Sequence, residues 1–508
     1  MRLYVAIVLV VIPLVVQPFS AELVYRSNQG DKRFVVLVAS GVYDSLENKI
    51  LRFAHDLENE PEHYDVDVYR CSLNLLPIPV YTGGINYGDT TIYNLEEATA
   101  LRNFLRQLYE NDSIVGAVAV GRFPAALFQQ TICGAYQLHP VENYFMDLDG
   151  EWYDSLRWNG SQFVPGHDTC FGQPILDTHK GNREADIFFG RIDASNLHYG
   201  NDEFNSNEIQ RLRNYFDRNH LYRIEQLTSK DTALIYFDWC PEMAEGAANR
   251  LRQVYPNIKI VNDPEQTNAS DYLEQVQKGY QWIWQSEHAT PWSFSFEYNG
   301  GNTRVGTEDI APIPLATFFY LINGCGVGYF PAEDNILKQM IFSPNPDAKS
   351  LAGISYDASA PPPVDLYDCG FFETLAECKC LGEALKTLIN YNYEHNLTWE
   401  RLIHVLLGDP TLKPRYGNTG IEEVVLHNEP EIISQVVYNK LELKVYEPTG
   451  LEIYDALGRL VKGIALLKQG KRTVDVSDLS EGVYFVKLSK KSGKTSDKFV
   501  VVKIVKLK

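Results

Sequence analysis

Apolar residues in this chain fall in short closed runs separated by longer amphipathic stretches, the pattern of buried strands alternating with surface helices. The run over residues 33 to 40 reads as a strand, Leu46 to Leu57 as an amphipathic helix, and Tyr64 to Tyr69 as a second strand. An acid-started helix over Thr91 to Tyr109 then leads into the strand Ile114 to Val120. The same alternation restarts at Thr232: strand Ala233–Phe237, helix Glu242–Tyr255, strand Ile258–Val261, helix Ser270–Lys278. Two further runs, Tyr280–Trp284 and Leu315–Ile322, are too short for buried helices and read as strands. Lys349–Asp357 holds another strand, Pro361-Pro-Pro363 predicts a stiff loop, and helices are expected at Leu375–Tyr393 and Thr398–Leu406. Near Arg415 the pattern changes. From about residue 431 apolar positions alternate with polar ones between glycine turns, as in Leu451–Val461 and Glu481–Leu488, which predicts a small β-sandwich.

The expected organisation is therefore a signal peptide at 1–21, an N-terminal α/β subdomain at 22–225, a second α/β subdomain at 226–415, a linker at 416–430 and a β-sandwich at 431–508. Met1–Ala21 carries one basic residue, then an apolar run interrupted by Pro13, then small residues, as export leaders do. That run is short for a hydrocarbon core of about 30 Å, so no stable transmembrane span is expected after cleavage. With 45% apolar and 12% aromatic residues, packed cores are within reach. The net charge of −20 argues against nucleic acid as a partner. Residues 430–508 go the other way, with 15 Lys and Arg against 9 acids. Of the eight cysteines, Cys378 and Cys380 are too close in sequence to bridge without strain, and no zinc-ligand spacing is present. Unpaired thiols are the expectation.

Two reactive side chains end the two short strands. His288 lies just past the first, and Cys325, flanked by Gly324 and Gly326, lies just past the second. Ligands bind outside the carboxyl ends of strands in open parallel sheets, so both would lie on a site-forming face. A thiolate attacks a carbonyl, and an imidazole within reach can activate the thiol and protonate the leaving amine. The amides of Ala289 and Cys325 are candidate oxyanion donors. Glu287 is expected to point away from His288, because neighbouring strand residues face opposite sides. Asp147, Asp149 and Asp154 alternate around Gly150 like the start of a calcium loop, and equally like a polar surface turn.

A strand ending in histidine, followed by one ending in a glycine-flanked cysteine, resembles the caspase-like clan of cysteine peptidases. Gly116–Gly121, Tyr144–Gly150, Asp186–Ile192 and Leu407–Leu412 narrow the resemblance to the gingipain-like family, over roughly residues 30–415. The resemblance implies a caspase-like α/β sandwich in two subdomains and a secreted cysteine endopeptidase acting on protein or peptide substrates, with no cofactor for catalysis and structural calcium as an option. It also places Asp238 where an acid supports the histidine, and Glu242 where an acid meets a basic substrate side chain; each equally suits the start of the following helix. The tail, with Tyr454–Arg459, Gly482–Lys487 and Lys498–Lys503, resembles the C-terminal sorting domain of the type IX secretion system, which implies that machinery as a partner and a secreted or cell-surface location. A rival reading keeps the fold but not the chemistry: a catalytically silent surface or adhesion protein. Ala289, standing where the family carries glycine, favours the rival.

Overall fold

Runs that are apolar at every position need a partner on both faces, and the chain supplies it by threading them into one wide sheet between helices. The computed structural model describes residues 19–415 apart from 29, 31, 61–62, 76–91, 133, 171, 299–300, 361–369 and 396–401, and residues 431–506 apart from 433–435, 438–439, 446–448, 456–458, 469 and 491–498. Most of the leader, the proline triplet and the linker lie outside the described residues. Residues 1–417 and 418–508 form two compact units.

In the first unit, β1 (Ser20–Arg26), β2 (Lys32–Ala39), α1 (Ser40–Glu58), β3 (Tyr64–Ser72), α2 (Leu95–Asp112), β4 (Ile114–Val120) and β5 (Phe188–Ile192) precede the long helix α3 (Glu208–Arg223). Then come β6 (Ala233–Phe237), α4 (Ala244–Leu251), β7 (Ile258–Val261), α5 (Ala269–Gln275) and β8 (Trp282–Ser286). A small antiparallel sheet of β9 (His288–Thr290), β10 (Ser293–Tyr298) and β11 (Gly301–Gly306) follows directly. The chain returns through β12 (Phe319–Asn323), α6 (Ile336–Ile341), β13 (Ala352–Tyr356), α7 (Phe371–Ala376), α8 (Leu381–Glu394) and β14 (His404–Gly408). Eleven strands share one sheet in the order β1-β3-β2-β4-β5-β14-β13-β12-β8-β6-β7. All neighbours are parallel except β1 with β3 and β13 with β14. Two parallel blocks of opposite direction therefore meet at β14.

That junction corrects the expected helix over Thr398–Leu406. Residues 404–406 open a strand buried on both sides, and the run Val405-Leu406-Leu407 is apolar throughout because it closes the middle of the sheet. Without alternation such a strand cannot be told from a buried helix by period alone. The expected helix over Leu375–Tyr393 is likewise two helices, broken where Cys378 takes φ +61°. The helix expected from Glu242 begins as a 3₁₀ turn, Pro241–Met243, and its α-helical part ends at Leu251.

The half of the sheet that carries β8 and β12 is packed on both faces. Trp284 lies 5.0 Å, ring to ring, from Phe372 of α7. On the opposite face the hydroxyl of Tyr272, from α5, donates to Gln285 at 2.8 Å. Trp282, Trp284, Phe319 and Leu321 are at most 2% exposed, and burying each such side chain contributes about 1.5–3 kcal/mol. This packing fixes where the strand ends lie.

The second unit is β-rich. A three-stranded sheet holds Glu431–Ile432, Lys440–Val445 and Gly470–Asp475, and a five-stranded sheet holds Val436–Val437, Phe499–Lys506, Gly482–Lys490, Thr449–Asp455 and Leu460–Leu467 in that order. Leu441, Leu443, Leu451, Ile453, Val486 and Leu488, drawn from both sheets, form its core. No helix among the described residues is long and apolar enough to cross a membrane.

Candidate active site

The strands β8 and β12 pair in parallel from Trp282 with Phe319 to Ser286 with Asn323. His288 and Cys325 each stand two residues past that last rung, so the register brings them to the same end of the sheet. His288 opens β9 and is exposed, whereas Cys325 is half-buried in the turn that follows β12. Glu287, between Ser286 and His288, turns inward as expected and is 1% exposed. Its Oε1 accepts from Gln285 Nε2 at 2.9 Å, and its Oε2 has no partner among the described residues. Burial holds this carboxyl well above the usual range.

Glycine is required at 324 for a local reason. A Cβ there would come within 2.7 Å of the Ala289 Cβ and 2.9 Å of Val327 Cγ2. The Ala289 methyl thus fills space left by the absent side chain at 324. Gly326 takes φ +68°, which lets the turn close beneath the sulfur. Among the described residues, the Cys325 amide donates to no backbone carbonyl.

The turn is held from below by two backbone bonds, Gly326 N–H to Ala358 O and Gly328 N–H to Tyr356 O, both 2.7 Å. Asn335 is the residue that sequence reasoning passed over. Fully buried, it caps α6 through Oδ1 to the Lys338 amide at 2.9 Å. Its Nδ2 donates to Val327 O at 3.0 Å and Tyr329 O at 3.2 Å, and to Pro291 O at 3.3 Å. One side chain therefore ties the cysteine turn to the segment just after the histidine. The Ile336 amide, 2.8 Å from Pro291 O, reinforces the tie. An Asn two residues upstream of Leu337 is an N-cap signal, but nothing local says what its amide nitrogen will meet.

Asp238 lies one residue past β6, and its amide and that of Trp239 both donate to Ser286 O, at 2.8 and 2.9 Å. Its carboxylate accepts from Thr267 Oγ1 at 2.6 Å and from the Glu297 amide at 2.9 Å. Burial pushes the Asp238 carboxyl up, and Thr267, the Glu297 amide and His288 pull it back. The aspartate thus reaches the imidazole through its field, with its own hydrogen bonds spent on other groups. The ring beside His288 is Trp239, with centroids 5.7 Å apart. Glu242 is exposed in the 3₁₀ turn that follows.

Behind the cysteine turn lies a second histidine and acid, both buried. Asp357 stands one residue past β13, and His139, from the strand Ala135–Pro140, places Nδ1 3.1 Å from its Oδ1. The same Nδ1 donates to Pro140 O at 2.7 Å while Nε2 accepts from Gln130 Nε2. The ring proton is thus directed at the carbonyl, and the contact with Asp357 is electrostatic rather than a well-aligned hydrogen bond. Burial raises the Asp357 carboxyl to about 7, and His139 draws it back down.

The three aspartates of the candidate calcium loop part company. Asp147 is fully buried, with Oδ1 accepting from the Gly150 amide at 2.6 Å and Oδ2 against His179 Nε2. Asp149 is exposed, and Asp186 joins the two, with one carboxylate oxygen of each within 4.8 Å of the others. Asp154 stands apart and faces His167 at 3.4 Å. The turn is therefore no plain surface loop: Arg102 Nη2 donates to Asp147 O and Gly150 O, both at 2.8 Å. The six described cysteines are free thiols.

Among curated proteins none matches the chain. Among solved structures, it is similar to the Arg-specific cysteine proteinase gingipain R, with TM-score 0.51 at 14% identity, covering 94% of this chain and 99% of that one. It is similar to the complex of Porphyromonas gingivalis RgpB pro- and mature domains, with TM-score 0.50 at 14% identity over 94% and 100%. At these identities the likeness is one of fold, a caspase-like α/β sheet. Residues 437–502 match the secretion system C-terminal sorting domain, which marks the protein for type IX export to the cell surface or beyond. Residues 78–415, well over half of the chain, match peptidase family C25, and the chain belongs to that family of cysteine peptidases.

Proposed function

We propose that this protein is a secreted cysteine endopeptidase in which Cys325 is the nucleophile and His288 its base and acid. The sulfur attacks the scissile carbonyl as the thiolate while the imidazole holds the thiol proton. The tetrahedral intermediate collapses to a thioester, and the imidazole gives that proton to the departing amine. Water, deprotonated by the same ring, then cleaves the thioester and restores the thiol. The amides of Cys325 and Ala289 are the oxyanion donors in this reading. The observation that carries it is the common register of His288 and Cys325, each two residues beyond the Ser286–Asn323 rung. The room that Gly324 leaves for the Ala289 methyl counts against a silent protein, because the methyl sits where position 324 has no side chain to meet it.

Asp238 favours the protonated imidazole during attack, and Glu242, exposed on the turn after β6, offers a carboxylate to a basic substrate side chain. The reaction uses no metal. Calcium at Asp147, Asp149 and Asp186 would compete with His179 and the Gly150 amide for the Asp147 carboxylate, and a change of thermal midpoint with a chelator tests for it. The reading as a whole is tested by treating the purified protein with a thiol-directed covalent peptidase inhibitor and mapping the modified peptide. Label on Cys325, lost in Cys325→Ala together with all peptide cleavage, is the expected result; label that persists in Cys325→Ala overturns it.

A further inference from the structure

Thiolates in proteins are commonly stabilised by a helix N-terminus as well as by a neighbouring cation. Cys325 has no such helix: it sits in a turn, and the next helix, α6, starts at Ile336. What reaches the sulfur is a main-chain amide. Ala360 N–H donates to Cys325 Sγ at 3.4 Å. The amide belongs to a strap, residues 356–360, that leaves the end of β13 and runs beneath the cysteine turn.

Four observations show that the strap is built to hold this position. Gly326 and Gly328 donate to Ala358 O and Tyr356 O, and the Asp357 amide donates to Ile403 O at 2.9 Å. Ala358 and Ala360 are buried with Ile132, Tyr356 and Ile403 in a small apolar cluster, and Cys325 packs on it. Asp357 is anchored beside His139 where neither is more than 2% exposed. The donor is thus fixed before any substrate arrives, and a fixed dipole in a half-dry setting has no reorganisation to undergo when charge appears on sulfur.

We infer that the Ala360 amide is a second activating group for Cys325, a preorganised donor that favours thiolate over thiol alongside the imidazole. This rests on the reading of Cys325 as the nucleophile. Titratable groups that the fold brings to this end of the sheet include His288 and Glu287 from the β8–β9 side, Asp238 after β6, and Asp357, Tyr356, His139, His404 and Glu142 around the strap. The amide is uncharged and titrates with none of them, so its effect persists when the imidazole is removed.

The test follows alkylation of Cys325 by iodoacetamide against pH in the full-length protein, read at the Cys325 peptide by mass spectrometry, in His288→Ala and in His288→Ala with Ala360→Pro. Proline deletes the N–H. A charge-assisted hydrogen bond of ordinary strength predicts a pH midpoint higher by about one unit and alkylation roughly tenfold slower near neutrality. An unchanged midpoint in a folded double variant overturns the inference. Where proline prevents folding, hydrogen exchange at the Ala360 amide decides. In Cys325→Ala that amide loses its acceptor and exchanges faster than in the parent while Gly326 and Gly328 keep their protection; equal exchange overturns the inference. Alkylation needs no turnover, so a shifted midpoint in a protein that cleaves no peptide would refute the peptidase reading alone, and peptide cleavage with an unmoved midpoint would refute the amide alone.

Discussion

Cys325 and His288 each lie two residues past the last rung that pairs β12 with β8, yet they are held in opposite ways. Cys325 is half-buried and surrounded by backbone: two bonds beneath its turn, an amide on its sulfur, and Asn335 fastening the carbonyls of Val327 and Tyr329. His288 is exposed, its ring lies near Trp239, and among the described residues its imidazole makes no hydrogen bond. A nucleophile gains from being placed before the substrate binds. A proton carrier must serve the sulfur, the leaving nitrogen and a water in turn, and a ring tied to one acceptor would serve fewer of them.

The sharpest break removes one member of the pair. His288→Ala is expected to lower kcat by about 10² to 10⁴ while leaving the thermal midpoint nearly unmoved, since an exposed side chain is lost; a large loss of stability would show that the imidazole is structural. On the other side, Asn335→Ala removes both the cap and the clamp. It is expected to cost roughly 2–4 kcal/mol of stability by denaturant titration, with a clear loss of kcat. Asn335→Asp keeps the acceptor that caps α6 and loses the donors to Val327, Tyr329 and Pro291, so it should recover part of the stability and little of the activity.

A pH series separates the strap from the ring. The Asp357 carboxyl moves from an ordinary 3.8 to about 7 on folding, burial being the main cause. A raised acid binds its proton more tightly in the folded chain. Its contribution is therefore fully present below about pH 4 and is lost as pH rises through 7, a swing of roughly 4 kcal/mol at most. Asp357→Asn should flatten stability between pH 4 and 7, and a variant whose pH slope matches the parent would show that Asp357 is not the titrating group. Asp238→Asn carries the smallest effect. Its carboxylate is held by Thr267 and the Glu297 amide, so only its field at His288 is lost, about a fivefold fall in kcat/KM that shrinks with added salt.

Much of this site was readable in the chain. The strands that end at Ser286 and Asn323 appear as closed apolar runs, the glycines around Cys325 mark a tight turn, and the inward set of Glu287 follows from strand alternation. What escaped has one physical character: it depends on partners far apart in sequence. Asn335 looks like a helix cap, and only the folded chain brings Pro291 O to its amide. Asp357 and His139 come from opposite blocks of the sequence and meet because β13 ends where the Ala135–Pro140 strand passes. β14 is hidden in the sequence because a strand buried on both faces loses the period-two signal. Asp186 joins Asp147 and Asp149 from just ahead of β5, while Asp154, near them in sequence, does not.

The contact between residue 289 and residue 324 also bears on descent. Across the two strand tips there is room for one methyl, and here the histidine strand has it. A relative with glycine after its histidine has that room vacant, so an alanine at 324 crowds only the Val327 side chain there and is less costly than in this chain. The two positions should therefore drift as a couple, and exchanging them, Gly for Ala289 and Ala for Gly324, should restore part of what Gly324→Ala alone takes away.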